Sequence, residues 1–318
     1  MLNNNLMPRK TIDLQNHTID SAIVPRKTHE FQNHTLDSTI WNDFEYRDND
    51  IVIASWARSG TTWVQQIVKQ LIFGGNPDLD TSALSFFLEL LMLPKEEKIA
   101  IVNNQFHRRF FKTHLAVNNL VFSPKAKYIY VGRNAPDIVW SLYNWLKKFR
   151  KGSFAIKATV KERVGPPLER PTVDFYEFWK RWLYEDGYPM WPFWNNVRSW
   201  WNIRNLPYVK LIHFNSLKEN LEREISGIEY FLDIQVTSEQ MERIMEYCSY
   251  DWMKKNPLKT TPEGSDSLVG GAEAFYLNGN NAQWKNYLST QDITEYKEYA
   301  IDKLGNECAN WLFSGQAI

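Results

Sequence analysis

Short apolar runs alternate along the chain with segments of helical periodicity, and this alternation is its clearest structural pattern. Four runs are mostly apolar and bounded by polar residues, which predicts buried strands. The predicted strands are 51–54, 109–111, 127–131 and 208–212, and the predicted helices are 61–73, 137–148, 191–204 and 217–232. Strands that alternate with helices are typical of a parallel sheet with crossover helices. The sequence therefore predicts a single α/β domain with a central parallel sheet flanked by helices.

A short duplication marks the N-terminus. The tetrapeptides PRKT and QNHT each occur twice, with an offset of 17 residues. One duplication is not a solenoid, which needs at least three units. We predict an N-terminal arm over 1–40, with a weakly ordered first copy, and a functional domain over 41–318. Within that domain, 256–286 is rich in Gly, Pro, Thr and Asn and predicts a loop long enough to cover a site.

Charge and cysteine content narrow the possible partners. The 318 residues carry 37 basic and 37 acidic side chains, so the basic excess typical of nucleic-acid binders is absent. No apolar stretch approaches the length of a membrane span. The two cysteines, Cys248 and Cys308, cannot form a disulfide framework, which favours a reducing compartment such as the cytoplasm.

The aromatic content suggests a pocket lined with rings. Aromatic residues make up 15% of the chain, and 14 of them are tryptophans. Such side chains can equally form the hydrophobic core, and the sequence leaves both possibilities open. The candidates for either place are Phe86, Phe87, Trp145, Trp179 and Trp182.

The first predicted strand leads into a candidate anion site. A tight turn at Gly60 joins it to the next helix, and the backbone N–H groups of such a turn can hold an anion at the helix N-terminus. Ser59, Thr61 and Thr62 add hydroxyl donors, and Arg58 adds positive charge. The segment is similar to a P-loop, but it lacks the lysine that a nucleoside triphosphatase needs after the last glycine.

Polar residues also follow the second and third strands. Lys112 and His114 lie two apart in an extended segment, so their side chains point to the same side. A cation beside a base suits transfer to a hydroxyl. Arg133 ends the third strand, with Ser141 early in the following helix, and makes a second anion site. Two such sites predict a ligand with two separated phosphates. None of the predicted strands ends in an acidic residue of the kind that a Mg²⁺ site requires, which disfavours metal-assisted phosphoryl transfer.

Four segments, in this order, resemble the motifs of cytosolic sulfotransferases that use 3′-phosphoadenosine 5′-phosphosulfate (PAPS). They are 56–63, 112–115, 130–137 with Ser141, and Asn278-Gly279 with Trp284-Lys285. The bacterial aryl and alkyl sulfotransferases are the most similar group. The resemblance covers most of the chain and implies the P-loop-like sulfotransferase fold.

The resemblance implies a place for each residue in the donor site. Arg58 would hold the phosphosulfate bridge. The residues implied at the 5′-phosphate are Ser59, Gly60, Thr61 and Thr62. Those implied at the 3′-phosphate are Arg133 and Ser141. Those implied around adenine are Trp63, Ser249 and Tyr250. Asn278 and Gly279 would belong to a C-terminal loop that closes over the donor.

The resemblance also implies the chemistry. His114 would be the general base, while Lys112 would assist the departing sulfuryl group. We therefore predict direct in-line transfer from PAPS, without a metal or a covalent intermediate, to a hydroxyl or amine of a small-molecule acceptor. Acceptor identity and oligomeric state stay open.

Three departures from the family pattern bear on donor affinity. Arg58 stands where the family usually has lysine, the neutral Asn278 stands in a closing loop that normally carries a basic residue, and Ala282-Gln283 replaces the usual pair before the tryptophan. Two alternatives therefore remain. One is a non-catalytic protein that binds 3′-phosphoadenosine nucleotides, and the other is a small-molecule kinase with a degenerate P-loop.

Overall fold

The computed structural model describes residues 24–150, 163–262, 265–277 and 279–316. The first copy of the N-terminal repeat and Asn278 lie outside the described residues. No helix among the described residues combines the length and apolar composition that crossing a bilayer requires.

Four parallel strands form the central sheet in the order β2-β1-β3-β4. Their bounds are β1 Ile51–Ser55, β2 Phe110–Thr113, β3 Lys127–Gly132 and β4 Val209–His213. The predicted parallel sheet is confirmed, with each strand within two residues of its predicted ends. The second strand extends through Lys112 and Thr113, so His114 is the first residue beyond it.

Helices connect the strands and follow the last one. They are α1 Thr61–Ile72, α2 Thr81–Leu84, α3 Lys95–Asn103, α4 Ala135–Leu146, α5 Phe175–Tyr184, α6 Phe193–Asn202, α7 Phe214–Glu219, α8 Leu221–Phe231, α9 Ser238–Tyr247, α10 Tyr250–Lys255, α11 Pro257–Thr260, α12 Thr290–Leu304 and α13 Asn306–Ser314. Proline in the first turn of α4 suits a helix start, because its missing N–H has no helical partner there.

Two predicted elements differ from the structure. The single helix predicted over 217–232 is wrong: it divides at Asn220, whose extended backbone ends α7 and whose side chain accepts from Arg223 N to begin α8. The loop predicted over 256–286 is wrong in part, because it contains α11 and short 3-10 turns. These turns are Ser265–Ser267, Gly271–Phe275 and Gln283–Asn286.

The two faces of the sheet pack against different cores. Ile51 and Ile53 contribute to an aliphatic cluster covered by α1 and α8, whereas Val52 and Ala54 point into an aromatic cluster on the other face. Trp179 and Trp182 are fully buried in the aromatic cluster, and Phe86 is also buried there. These three of the candidate aromatic residues are therefore core.

The strand order places a crevice above the carboxyl ends of β1 and β3. The chain passes from β1 to β2 on one side and then crosses to β3 on the other, so the connections diverge between β1 and β3. Ligands of open parallel sheets bind at such a point.

Candidate active site

A cleft of about 500 Å³ opens above the carboxyl ends of the strands and brings most of the predicted site residues together. The predicted residues that line it are Arg58, Gly60, Thr61, Thr62, Trp63, Lys112, His114, Arg133, Ser141, Tyr250 and Gly279. Ser59 is instead buried under the turn, and Ser249 caps α10, where its hydroxyl accepts from Trp252 N.

The turn after β1 lines the cleft and leads directly into α1 at Thr61. Arg58 and Gly60 both have positive φ, 65° and 114°. A Cβ on Gly60 would lie 2.8 Å from the ring of Phe214, so only glycine fits this turn without movement. The hydroxyl of Thr61 is hydrogen-bonded to that of Ser55, which ties the first turn of α1 to the end of β1.

Arg58 crosses the cleft toward α4. Its Nε donates to Ser141 Oγ at 3.1 Å, and its guanidinium lies over the rings of Phe275 and Trp145, 4.8 and 5.4 Å from their centroids. Burial, with the nearby Arg133 guanidinium, lowers the pKa of Arg58 to about 9. An anion bound next to Arg58 would offset both the cost of burying its charge and the repulsion from Arg133. The surroundings of this side chain therefore favour an anionic ligand.

Arg133 lies beside Arg58 at the end of β3. Its Nη1 donates to Arg58 O at 3.0 Å, its Nη2 donates to Asn281 Oδ1 at 2.8 Å, and its guanidinium stacks 4.0 Å from the Phe214 centroid. Burial lowers the pKa of Arg133 to about 10, although Asp137 opposes the shift. Its buried Nε has no hydrogen-bond partner among the described residues. A guanidinium that is held in place and has an unsatisfied N–H donor is suited to bind an oxyanion.

His114 has one nitrogen fixed and one aimed at the cleft. Because a carbonyl can only accept, the 2.7 Å bond to Ser55 O places the ring proton on Nδ1 and leaves the lone pair on Nε2. The ring stacks on Trp191 with centroids 5.3 Å apart, and Phe87 meets it edge-on at 5.0 Å. Burial and the neighbouring Lys112 hold the pKa of His114 well below its usual value, so the imidazole is neutral at physiological pH.

Lys112 shares this end of the cleft. Its ammonium lies 4.4 Å from the centroid of Phe87, and its backbone N–H donates to Phe86 O at 2.9 Å. The side chain is nearly buried, so its positive charge acts in a medium of low dielectric. The positive charge of Lys112 thus lies close enough to His114 to lower the pKa of its ring.

Glu89 is a buried acid that the motifs do not reveal. Its Oε1 accepts from Thr113 Oγ1 at 2.6 Å and from His114 N at 2.8 Å, and its Oε2 accepts from Trp41 Nε1 at 3.0 Å. It therefore fixes the backbone on which the histidine stands. The signal that could have found it is a single charge within the apolar run 86–93.

Asp137, the last residue of the 130–137 motif, binds a C-terminal loop to the rim of the cleft, a contact that the sequence analysis did not predict. Asp137 Oδ1 accepts from Ala282 N at 2.6 Å and from Trp284 Nε1 at 3.1 Å. Lys218 Nζ donates to Gly279 O at 2.9 Å, and a Cβ on Gly279 would lie 2.8 Å from the ring of Tyr250. These hydrogen bonds hold the loop against the cleft, and none of them requires a charge at position 278.

Comparison with known proteins agrees with this geometry. Residues 48–306 match the sulfotransferase domain. The chain belongs to the sulfotransferase domain family. The family and the α/β fold predicted from the motifs are therefore confirmed.

Relatives of this sulfotransferase come from bacteria and from animals. A glycolipid sulfotransferase of Mycobacterium bovis is 27% identical over 87% of this chain and 91% of its own length. Dog sulfotransferase 1B1 is 28% identical over 77% of this chain and 80% of its own. Identity is low throughout, so the shared features are those of the family.

Solved structures share the fold. A mouse sulfotransferase complexed with PAP superposes with a TM-score of 0.67 at 21% identity, over 88% of this chain and 93% of that one. A retinol dehydratase in complex with androsterone and the inactive cofactor PAP has the same TM-score at 19% identity, over 84% of each chain.

Trp63, in the first turn of α1, also lines the cleft of this sulfotransferase. Its Nε1 donates to Cys248 O at 2.8 Å, and its ring meets that of Phe214 edge-on with centroids 5.5 Å apart. Tyr250 is fixed nearby through a hydrogen bond from its hydroxyl to Leu277 O. These contacts hold two aromatic rings on the cleft wall and leave their predicted contact with adenine a prediction.

Aromatic side chains line much of the cleft of this sulfotransferase. Of the five aromatic candidates, Phe87 and Trp145 line the cleft. Trp140 and Trp191, which the sequence did not single out, line it as well. Their positions follow from packing between distant segments, which a local pattern does not encode.

Proposed function

We propose that this sulfotransferase moves a sulfuryl group from PAPS to a hydroxyl or amine of an apolar small molecule, by direct in-line transfer. The observation that carries the proposal is the meeting of two arginines, the buried Arg133 and the partly buried Arg58, with the Lys112–His114 pair in one cleft. The arginines suit the anionic groups of a donor, and the pair suits removal of a proton from an acceptor.

The turn at Gly60, the N-terminus of α1 and the Arg133 side chain form a donor site that suits PAPS. The Gly60 turn offers backbone N–H groups and the N-terminus of α1 to the 5′-phosphosulfate. Arg133 Nε is a buried donor with no partner among the described residues, and it suits the 3′-phosphate together with Ser141. When bound, PAPS supplies the sulfuryl group, and the bisphosphate PAP is the group that leaves.

His114 acts as the general base through Nε2. The bond from Nδ1 to Ser55 O keeps the lone pair on Nε2, so this atom takes the proton as the acceptor oxygen attacks sulfur. Lys112 and Arg58 provide positive charge on the side where negative charge develops on the leaving phosphate oxygen. Their charges also lower the pKa of His114, an effect that the anionic donor counteracts.

An apolar acceptor follows from the wall beside His114. The side chains that form it include Leu36, Phe87, Trp145, Leu168, Met190 and Trp191. A wall of this kind binds through buried apolar area and leaves few polar groups to orient the ligand. The mycobacterial relative is named for a glycolipid, and the retinol dehydratase structure holds androsterone, so both names refer to molecules with a large apolar part.

The cytoplasm is the compartment that we propose for this reaction. Cys248 and Cys308 are both buried and free, and an oxidising environment is not needed to explain either.

The test is to incubate the protein with PAPS and a panel of phenols, alcohols and amines, and to detect products by their gain in mass. His114→Ala protein is the matched control, and calorimetry with PAP measures donor binding separately. Sulfated product from the wild type alone, with PAP bound by both proteins, supports the proposal. PAP binding without any product would favour a non-catalytic binding protein instead.

A further inference from the structure

Residues 24–40, the second copy of the N-terminal repeat, pack on the domain and form part of the cleft wall. Asp37 N donates to Glu89 O at 2.8 Å, and Leu91 N donates to Thr35 O at 2.8 Å. Both bonds join the segment to the stretch that carries Glu89. The second copy is thus bound to the same stretch that positions the catalytic histidine.

Side chains within the segment shape it for this place. Asn33 Oδ1 accepts from the backbone N–H groups of Thr35 and Leu36, each at 2.8 Å. Ser38 Oγ donates to Glu30 Oε2 at 2.6 Å. Because these bonds are local, the conformation that binds the domain is encoded in the segment itself.

The same pattern is present in residues 7–23. Aligned with 24–40 at the offset of 17, 11 of the 17 positions are identical. The Asp37 side chain also accepts, from Thr39 N at 2.8 Å. The residues that correspond to the hydrogen-bonded side chains are Asp13 for Glu30, Asn16 for Asn33, Asp20 for Asp37 and Ser21 for Ser38. The apolar residues that correspond to the buried Leu36 and Ile40 are Ile19 and Ile23. The first copy therefore keeps the groups that seat the second.

We infer that the face of the domain that holds residues 24–40 is a docking site for the repeat sequence itself, and that residues 7–23 of the same chain bind there when 24–40 cannot. In the intact chain the second copy has the advantage. For the first copy to bind, the 17 residues between Ile23 and Trp41 must form a loop, and closing a loop costs entropy.

The exchange reaches the active site in two ways. Thr35 and Leu36 line the cleft, so the first copy places the β-branched Ile19 where the second places Leu36. The shape of the acceptor wall changes while its apolar character stays. Loss of both copies instead removes the support of the stretch that holds Glu89, and with it the placement of His114.

Three deletions test the docking site. One chain lacks 1–23, one lacks 24–40 so that Ile23 is joined to Trp41, and one lacks 1–40. The first two should melt within about 4 °C of each other and retain turnover, whereas the third should melt at least about 10 °C lower. Unfolding of the chain that lacks 24–40 overturns the inference. So does a concentration-dependent dimer of that chain, since another copy would then supply the segment.

Point variants test the same exchange without deletions. Leu36→Asp places a charge on a buried apolar contact of the second copy. In the full chain it should lower the melting temperature by only a few degrees, because the first copy takes its place. In the chain that lacks 1–23 the loss should reach about 10 °C.

Ile19→Asp is the matched control for Leu36→Asp. Alone it should leave the full chain unchanged, and together with Leu36→Asp it should reproduce the loss seen in the truncated chain. Equal losses from Leu36→Asp in the two chains overturn the inference. The melting readout does not depend on sulfuryl transfer, so a failure of the proposed function would show separately, as an inactive but stable full chain.

Discussion

Replacing Glu89 by glutamine tests whether this buried carboxylate holds the catalytic histidine in place. Oε1 accepts from Thr113 Oγ1 and His114 N, and Oε2 accepts from Trp41 Nε1. Glutamine can keep the first two bonds through its carbonyl oxygen. Its amide N–H₂ then faces the indole N–H, so two donors meet and neither has an acceptor.

The size of the effect follows from these three bonds. A hydrogen bond to a charged group is worth about 1.5–3 kcal/mol against about 0.5–1.5 for a neutral pair, so the two retained bonds lose about 2 kcal/mol together. The unpaired indole N–H of Trp41 costs about 1–3 kcal/mol more. Burial raises the pKa of Glu89, which shows that the carboxylate costs free energy to ionise here, and its removal recovers part of the loss. We expect a net loss of about 3 kcal/mol.

A double-mutant cycle with Trp41→Phe isolates the cause. Phenylalanine removes the indole N–H, so the Glu89→Gln, Trp41→Phe chain should be at least about 1 kcal/mol more stable than the sum of the single losses. Urea unfolding of the four chains measures this coupling. The turnover number should fall with Glu89→Gln more than the dissociation constant of PAP changes, because His114 and not the donor site is displaced. Additive single effects, or a Glu89→Gln chain more stable than wild type, would refute the reasoning.

Three further predictions concern single side chains. His114→Ala should lower kcat by about 10²–10⁴-fold while calorimetric PAP binding stays unchanged, and near-normal turnover would remove His114 from the mechanism. Burial lowers the pKa of His213 to about 4 in the folded chain. As pH falls, the histidine is therefore protonated in the unfolded chain before it is protonated in the folded chain. The free energy of unfolding should fall by about 3 kcal/mol as pH drops from the ordinary histidine pKa through 4. Urea midpoints against pH should show a shallower fall for His213→Gln, and identical curves would contradict it. Asn278→Lys should tighten PAPS binding several-fold at low salt, since a charged donor adds about 1 kcal/mol at the 3′-phosphate. Adenosine 5′-phosphosulfate, which lacks that phosphate, is the control ligand in calorimetry. An equal gain in affinity for this ligand would show that residue 278 does not face the 3′-phosphate.

The predicted site residues that the structure brings together share one property. Arg58, Lys112, His114 and Arg133 each stand at or just after the end of a short apolar run. In a parallel sheet these ends meet at one edge, so a local pattern was enough to place all four in one cleft. Their individual roles in donor binding and proton transfer remain predictions.

Residues that support the site could not be found in this way. Glu89 bonds to Trp41, 48 residues away, and Asp137 bonds to Trp284, 147 residues away. No spacing in the sequence joins such partners. Their positions depend on how the segment around Trp41 and the C-terminal loop fold back on the sheet.

The sequence by itself determined the parallel α/β architecture and the four polar strand ends, because alternation of apolar runs and turn residues is local information. The family followed from the four motif segments, which are also local. Only the tertiary structure decided the strand order, the division of one predicted helix at Asn220 and the choice of which tryptophans line the cleft. Each of these depends on contacts between segments far apart in the chain. A buried ring such as Trp182 and a cleft ring such as Trp145 look alike in the sequence, and packing alone separates them.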